Sequence, residues 1–295
     1  MNNNKVYILE DRGVIYISGE DSSNFLQNLI SNDVNKINEN FSTFGALLSP
    51  QGKYLFEFLL VKHKKGFLID CEKSVANNLL KQLNLYKLRS KIEILNLSNE
   101  FVVAVLTKNK FLEMGETKNL CGFTIKFRED PIFLDPRHED LGARIIINLE
   151  KLHLSLKKLD LKSTDVNEYY KKSFELGIPQ KNLCELNNKL FGIECNLEEL
   201  NGLDFKKGCY IGQENTARIK LKEKLNKRLF GVKLLEGELS DNIILDNRNN
   251  EIGKIIIKDP FPFGLIKFKE KGFNFENNFT CGNAKIKINK PFWSK

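Results

Sequence analysis

Cys209 stands between two glycines, behind two lysines and ahead of a Gln-Glu pair, in the stretch DFKKGCYIGQENTARIK from Asp204 to Lys220. A thiol so placed has two uses, as a nucleophile or as a soft ligand, and both need the thiolate. Gly208 and Gly212 allow tight turns and close approach of backbone to a ligand. The residues after Gly212 have helical composition, with Gln213 and Glu214 in the first turn. A helix N-terminus carries partial positive charge. Together with Lys206 and Lys207 it would stabilise a thiolate and lower the pKa from its free value of about 8.5. Cys209 is therefore the candidate reactive thiol. Chemistry alone leaves a second reading open, a small buried cysteine at a domain junction.

Other reactive constellations are missing. The remaining cysteines, Cys71, Cys121, Cys184, Cys195 and Cys281, are scattered without a CxxC pair, and His63, His138 and His153 stand alone. Structural zinc sites need closely spaced Cys and His pairs, so no metal site is expected from this chain alone. There is no GxxxxGK[ST], GxGxxG after a strand, HExxH or GxSxG, which argues against the common nucleotide hydrolases, dehydrogenases and zinc hydrolases.

The elements that must position Cys209 read as an α+β chain. Arg12 to Gly19 alternates like a strand, and Asp21 and Ser22 are capping types ahead of a helix carrying Phe25, Leu26, Leu29 and Ile30 on one face. FGALLSPQGKYLFEFLLVKHKKGFLIDCE predicts three strands with turns at Pro50–Gly52 and near Lys64–Gly66. SVANNLLKQLNLYKLRSK predicts a helix and IEILNLS a strand. EFVVAVLTK, CGFTIKF and ARIIINL predict a second strand set, and DVNEYYKKSFEL a helix stopped at Gly177. From Lys227 the chain becomes short strands between Gly, Asn and Pro, the pattern of a small β-barrel or sandwich. The expected division is 1–224, with a break near residue 100, and 225–295.

The chain has 295 residues and a net charge of +8, from 46 basic and 38 acidic residues. The basic residues are spread along the sequence, so most are read as solvated surface rather than as a nucleic-acid footprint. No stretch looks like a signal or transit peptide, and none approaches the roughly 20 apolar residues of a membrane helix. The expectation is a cytoplasmic protein without a membrane or nucleic-acid partner.

KGCYIGQE, Lys207 to Glu214, resembles the signature of the YgfZ family, folate-binding relatives of the glycine-cleavage T-protein. RGVIYISGEDSSNFLQNLISNDV, with Asn32-Asp33, resembles that family's N-terminal segment. LLSPQGK, the Tyr86-x-x-Arg89-x-Lys91 segment, DPR at Asp135–Arg137, LGAR at Leu141–Arg144 and GIP at Gly177–Pro179 follow in the family's order. So do Glu194 and Asn196.

The resemblance implies a GcvT-like folate-binding multidomain fold, with packed units around a central channel and a small C-terminal β-barrel. The implied cofactor is tetrahydrofolate or a one-carbon derivative. Glu194 is the implied carboxylate for the pterin's paired donors. Arg218, and beyond it Lys220, Lys222 and Lys224, are implied partners for the folate tail carboxylates. Tyr86 and Tyr210 are aromatic candidates against the rings, and Lys207, Gln213 and Glu214 complete the implied folate set. The YgfZ branch implies a folate-dependent accessory role toward [4Fe–4S] proteins, with iron–sulfur clients or assembly factors as partners and tRNA modification as an associated process. The T-protein branch implies the alternative, aminomethyl or one-carbon transfer. That branch uses an aspartate near the folate, and here the comparable stretch offers Asp70 and Glu72 while its helix has no Asp. A third reading is a nucleic-acid binder using the basic stretch from Arg218 to Arg228.

Overall fold

Apolar side chains on alternate positions set the strands of two sheets and a barrel. The computed structural model describes residues 4–222, 225–270 and 273–294. They divide into two compact units, each assembled from separate stretches of chain. The first comprises Met1–Leu48, Phe56–Tyr169 and Leu200–Ile211, and the second Ser49–Leu55, Tyr170–Glu199 and Gly212–Lys295.

The first unit begins with β1 (Lys5–Leu9), β2 (Arg12–Ser18), helix α1 (Ser22–Leu29) and β3 (Thr43–Leu48). β4 (Tyr54–His63), β5 (Gly66–Glu72), helix α2 (Ala76–Lys87), β6 (Glu93–Asn96) and β7 (Phe101–Leu106) follow. Then come α3 (Lys108–Leu112), β8 (Thr124–Phe127), β9 (Asp130–Leu134), β10 (Ala143–Asn148), α4 (Leu149–Lys158) and β11 (Lys162–Ser163). β3-β4-β5-β2-β6 form one sheet and β11-β1-β7-β10-β9-β8 the other. In the second sheet Ala143, Ile145 and Ile147 share a core with Ala104, Leu106 and Phe111. The intervening Arg144 therefore points to the opposite face, as the pleat requires.

α1 departs from expectation at its start. Asp21 makes no side-chain cap there; its carboxylate instead accepts the Lys91 amide at 2.7 Å.

The second unit holds helix α5 (Val166–Glu175) from Tyr170 on, helix α6 (Gln213–Leu221) and β12 (Arg228–Glu236), β13 (Ile243–Leu245), β14 (Glu251–Ile257), β15 (Phe263–Ile266), β16 (Asn278–Cys281) and β17 (Ala284–Ile288). β12-β15-β14-β13-β16-β17 close into a barrel, which removes free sheet edges. Phe230, Val232, Ile244, Ile255, Ile266, Phe279 and Ile286 fill its interior.

Candidate functional site

In the first unit the segment ahead of Cys209 is tied down from both sides. Asn201 Nδ2 donates to the Pro136 carbonyl at 3.0 Å, and Ser31 Oγ to the Gly202 carbonyl at 2.6 Å. The Asp204 amide donates to the Ser31 carbonyl, and the Asp204 carboxylate pairs with Lys36. Asn32 Nδ2 reaches the carbonyls of Asn201 (2.7 Å) and Phe44 (2.8 Å) and the hydroxyl of Thr43 (2.9 Å).

Lys207 completes the anchorage. Its ammonium donates to the carbonyls of Gln27 (2.7 Å), Ile30 (2.6 Å) and Asn32 (2.9 Å). These lie at and just past the end of α1, where helix carbonyls lack intrahelical partners. Burial pushes the Lys207 pKa down to about 8, against the pull of Asp33 and Asp204. This corrects the ligand role expected for Lys207. An ammonium has three N–H groups, and all three are engaged inside the protein. Tyr210 is also buried, with the Lys207 ammonium 5.1 Å from its ring centroid. Between these two buried residues Gly208 and Cys209 are exposed. A Cβ at Gly208 would meet nothing within 4 Å, so that glycine is not demanded by space.

The first unit also holds a buried ion network. Arg12 on β2 lies diagonal to Asp70 on β5, because Val14 is the residue directly opposite Asp70. Arg12 Nε donates to Asp70 Oδ1 at 2.6 Å, and Arg144 Nη1 to Asp70 Oδ2 at 2.6 Å. Arg144 also donates to Asp135 Oδ2 (3.1 Å) and Tyr169 Oη (2.6 Å). Arg137 grips Asp135 with Nε at 3.0 Å and Nη2 at 2.8 Å, and lies 3.9 Å from Glu57. Burial alone would raise the Asp135 pKa. The charge and hydrogen bonds of Arg137, with Arg144, outweigh it and bring the carboxyl to about 2. The DPR and LGAR motifs are thus two sides of one buried cluster. Asp70, which with Glu72 was the acidic residue offered by the stretch comparable to the folate-facing aspartate, is fully buried with both carboxylate oxygens on arginines.

The second unit carries the other candidates. Glu194 lies in a 3-10 turn, Gly192–Cys195, and one carboxylate oxygen accepts the Phe191 amide at 2.8 Å. Among the described residues this is the one hydrogen bond to that carboxylate. Burial raises the Glu194 pKa, offset in part by the Phe191 amide and by Lys53. Lys53 Nζ stands 3.9 Å over the Phe191 ring, and its turn, Ser49–Lys53, bonds to the same segment through Gly192 N–H to Gly52 O at 3.0 Å. Lys53 and Phe191 are therefore among the neighbours of Glu194, with the charge of Lys227 also acting on it, and their residue types alone gave no signal of it. Asn196 takes a left-handed conformation at φ 61° and donates to the Leu229 carbonyl of β12 at 2.7 Å.

Gly212 precedes α6 at φ 84°, where L side chains are strained. Gly52 opposes it, and a Cβ there would stand 3.2 Å from Gly212 O. Gln213 is half-buried in the first turn of α6. Glu214 and Arg218 form an exposed i,i+4 pair at 2.8 Å, and Lys220 pairs with Glu198. Lys222 is exposed at the end of the helix, and Lys224 lies outside the described residues. Among the described residues no group of three or more His, Cys, Asp or Glu could hold a metal.

The fold is that of aminomethyltransferase T of the glycine cleavage system. The Bartonella henselae structure superposes with a TM-score of 0.76 over 98% of this chain and 86% of that one, at 13% sequence identity. In sequence the chain is similar to proteins named iron–sulfur cluster assembly factor IBA57, mitochondrial, or its homologues. The Neurospora crassa protein is 30% identical over 229 residues, 75% of this chain and 52% of its own length. The Mus musculus protein is 30% identical over 250 residues, 78% and 66% respectively, and that of Dictyostelium discoideum 26% over 265, 81% and 64%. The chain therefore spans between about half and two thirds of these relatives. No protein-family profile matches it.

The T-protein-like α+β fold with its small barrel was legible in the sequence. The relatives carry the iron–sulfur side of the resemblance, although the name YgfZ is not among theirs. The cytoplasmic expectation is overturned, because these relatives are named as mitochondrial. Their names describe cluster assembly and give tRNA modification no support.

Proposed function

We propose that this chain is an accessory factor in iron–sulfur cluster assembly, binding tetrahydrofolate or a one-carbon derivative and presenting the Cys209 thiol to [4Fe–4S] client proteins or assembly factors. The observation that carries the reading is the exposed Cys209 between two buried anchors, in a chain similar to named assembly factors over three quarters of its length. A single thiolate cannot replace the usual four cluster ligands. Cys209 therefore touches a cluster or a client cysteine transiently and does not hold a resident cluster.

The folate part rests on the resemblance and on the chemistry of Glu194. Its carboxylate has a second oxygen to offer, and an aminopyrimidine edge presents two parallel donors to such a group. Arg218, Gln213 and Glu214 remain the proposed remainder of the set in the second unit, with Lys53 and Phe191 added beside Glu194; Lys207 and the buried Tyr210, which belong to the first unit, are withdrawn. Bound folate would supply one-carbon chemistry. Aminomethyl transfer is the weaker reading, since Asp70 is locked between Arg12 and Arg144.

The deciding experiment measures a [4Fe–4S] dehydratase in cells lacking this protein, under mild oxidative stress, restored with wild type, Cys209→Ala or Glu194→Ala. Full rescue by wild type alone is the expected result. Undiminished enzyme activity without the protein, or full rescue by Cys209→Ala, overturns the accessory role or the thiol role respectively.

A further inference from the structure

The Tyr86-x-x-Arg89-x-Lys91 segment finds no task in the site described above, yet its geometry is unusual. α2 buries Ala76, Leu79 and Leu83, and its other face is exposed. Leu85 is 69% exposed and Leu88, just past the helix, is 88% exposed. The Ser90 amide donates to the Lys87 carbonyl at 2.8 Å, closing a four-residue turn with Leu88 at its first central position. Leu88 has φ 42° and ψ −113°, the backbone of the first central residue of a type II′ turn, a position glycine dominates. A leucine there is strained, and it gains no burial in return. Strained backbone of this kind is held where surrounding structure imposes it. Here α2 fixes one side. On the other, Asp21 accepts the Lys91 amide at 2.7 Å and Glu20 pairs with Lys91 at 3.0 Å.

Cations collar this apolar tip. Lys81 and Arg89 are exposed and Lys87 is half-buried, and among the described residues none of the three enters an ion pair. Glu93, on β6, is the one acidic side chain between residues 77 and 93. Exposures of 69% and 88% at Leu85 and Leu88 mark a projecting turn rather than a groove, with cations at 81, 87 and 89 flanking it in the chain. A protein partner would need a matching socket. A bilayer surface needs none: apolar tips enter the headgroup–acyl boundary while Lys and Arg meet lipid phosphates.

We propose that the Lys87–Ser90 turn, with Leu85 and Leu88 as its inserting side chains and Lys81, Lys87 and Arg89 as its collar, docks this protein on an anionic lipid surface. The contact is peripheral; no described helix is long and apolar enough to cross a membrane. It is independent of the folate and cluster reading.

The test is co-sedimentation of the purified chain with phosphatidylcholine vesicles and with equimolar phosphatidylcholine–phosphatidylglycerol vesicles. Wild type is expected to partition onto the mixed vesicles and not onto the neutral ones, less so as salt rises. Leu88→Gly, which relieves the positive φ and so keeps the fold, lowers partitioning at least about tenfold. Glutamine at 81, 87 and 89 lowers it by about a hundredfold, from roughly one kcal/mol per cation. Melting curves establish that both variants are folded. Wild type remaining in the supernatant overturns the proposal. So does Leu88→Gly binding as well as wild type, since a chain of net charge +8 then adheres by charge alone. Absence of vesicle binding together with a cross-link from a photoreactive residue at 88 to a protein would replace the lipid by a protein partner.

Discussion

Lys207 Nζ donates to the Ile30 carbonyl at 2.6 Å, fixing the residue two places before Cys209 to the chain just past the end of α1. Lys207→Met keeps the length of the stem and removes the donors. Three acceptors then lose their partner, at a cost on the order of 2–4 kcal/mol. Urea unfolding should show that loss; a midpoint unchanged from wild type would mean the clamp is dispensable.

Glu194 should make folate binding sensitive to pH. Its carboxylate must be ionised to accept the pterin's donors, and burial raises its pKa from 4.5. Affinity should therefore fall on acidification with a midpoint above that value. The sign for stability is opposite. The folded state keeps the Glu194 proton where the unfolded chain has lost it, so stability declines as pH rises from 4.5 through the folded pKa. Titration calorimetry of tetrahydrofolate at several pH values checks the first, and Glu194→Gln should bind weakly and without this pH step; urea unfolding of wild type and Glu194→Gln across the same pH range checks the second.

The buried network predicts a large structural effect at Asp70. Asp70→Asn leaves Arg12 and Arg144 short of a counter-charge and should cost about 3–5 kcal/mol. Asp135, held at about 2 against an ordinary 3.8, adds stability that is fully present above 3.8 and lost as pH falls through 2. Acid unfolding of Asp135→Asn, compared with wild type, should lack that part of the slope.

Thiol accessibility divides the cysteines. Cys184 and Cys209 are exposed and Cys71, Cys195 and Cys281 buried, and burial pushes Cys71 up to about 12. Brief alkylation of the native protein followed by peptide mass analysis should label the first two and leave the other three until denaturant is added.

The two signature glycines should behave differently. Gly212→Ala meets a φ of 84° and should lose about 1 kcal/mol or more. Gly208→Ala enters open space and should leave the melting temperature unchanged.

Periodicity made most of the fold readable, since the strands of both sheets and the barrel alternate or run apolar between turn residues. β1, α3, α4, β9, β11 and β16 escaped because they are short or carry polar residues on the solvent side. The site was legible in part. Cys209 was conspicuous by type and Glu194 entered only through the resemblance, and the structure places them on an exposed loop and in a half-buried turn. Lys207 was misjudged because a lysine in sequence reads as a free cation, and nothing local announces that three carbonyls 175 to 180 positions earlier will accept its hydrogen bonds. Arg12, Asp70 and Arg144 were invisible as a cluster for the same reason, each being supplied by a different strand.

Because the Lys207 clamp reads main-chain oxygens alone, it is indifferent to what side chains stand at Gln27, Ile30 and Asn32. Positions 27 and 30 are free to drift so far as the clamp is concerned, whereas position 207 has no substitute of equal reach with three N–H groups at one atom. The dependence runs one way: side chains at 27 and 30 can change without disturbing the clamp, but a change of lysine at 207 removes the clamp and leaves the segment held to the helix end by the Ser31 and Asn32 contacts alone.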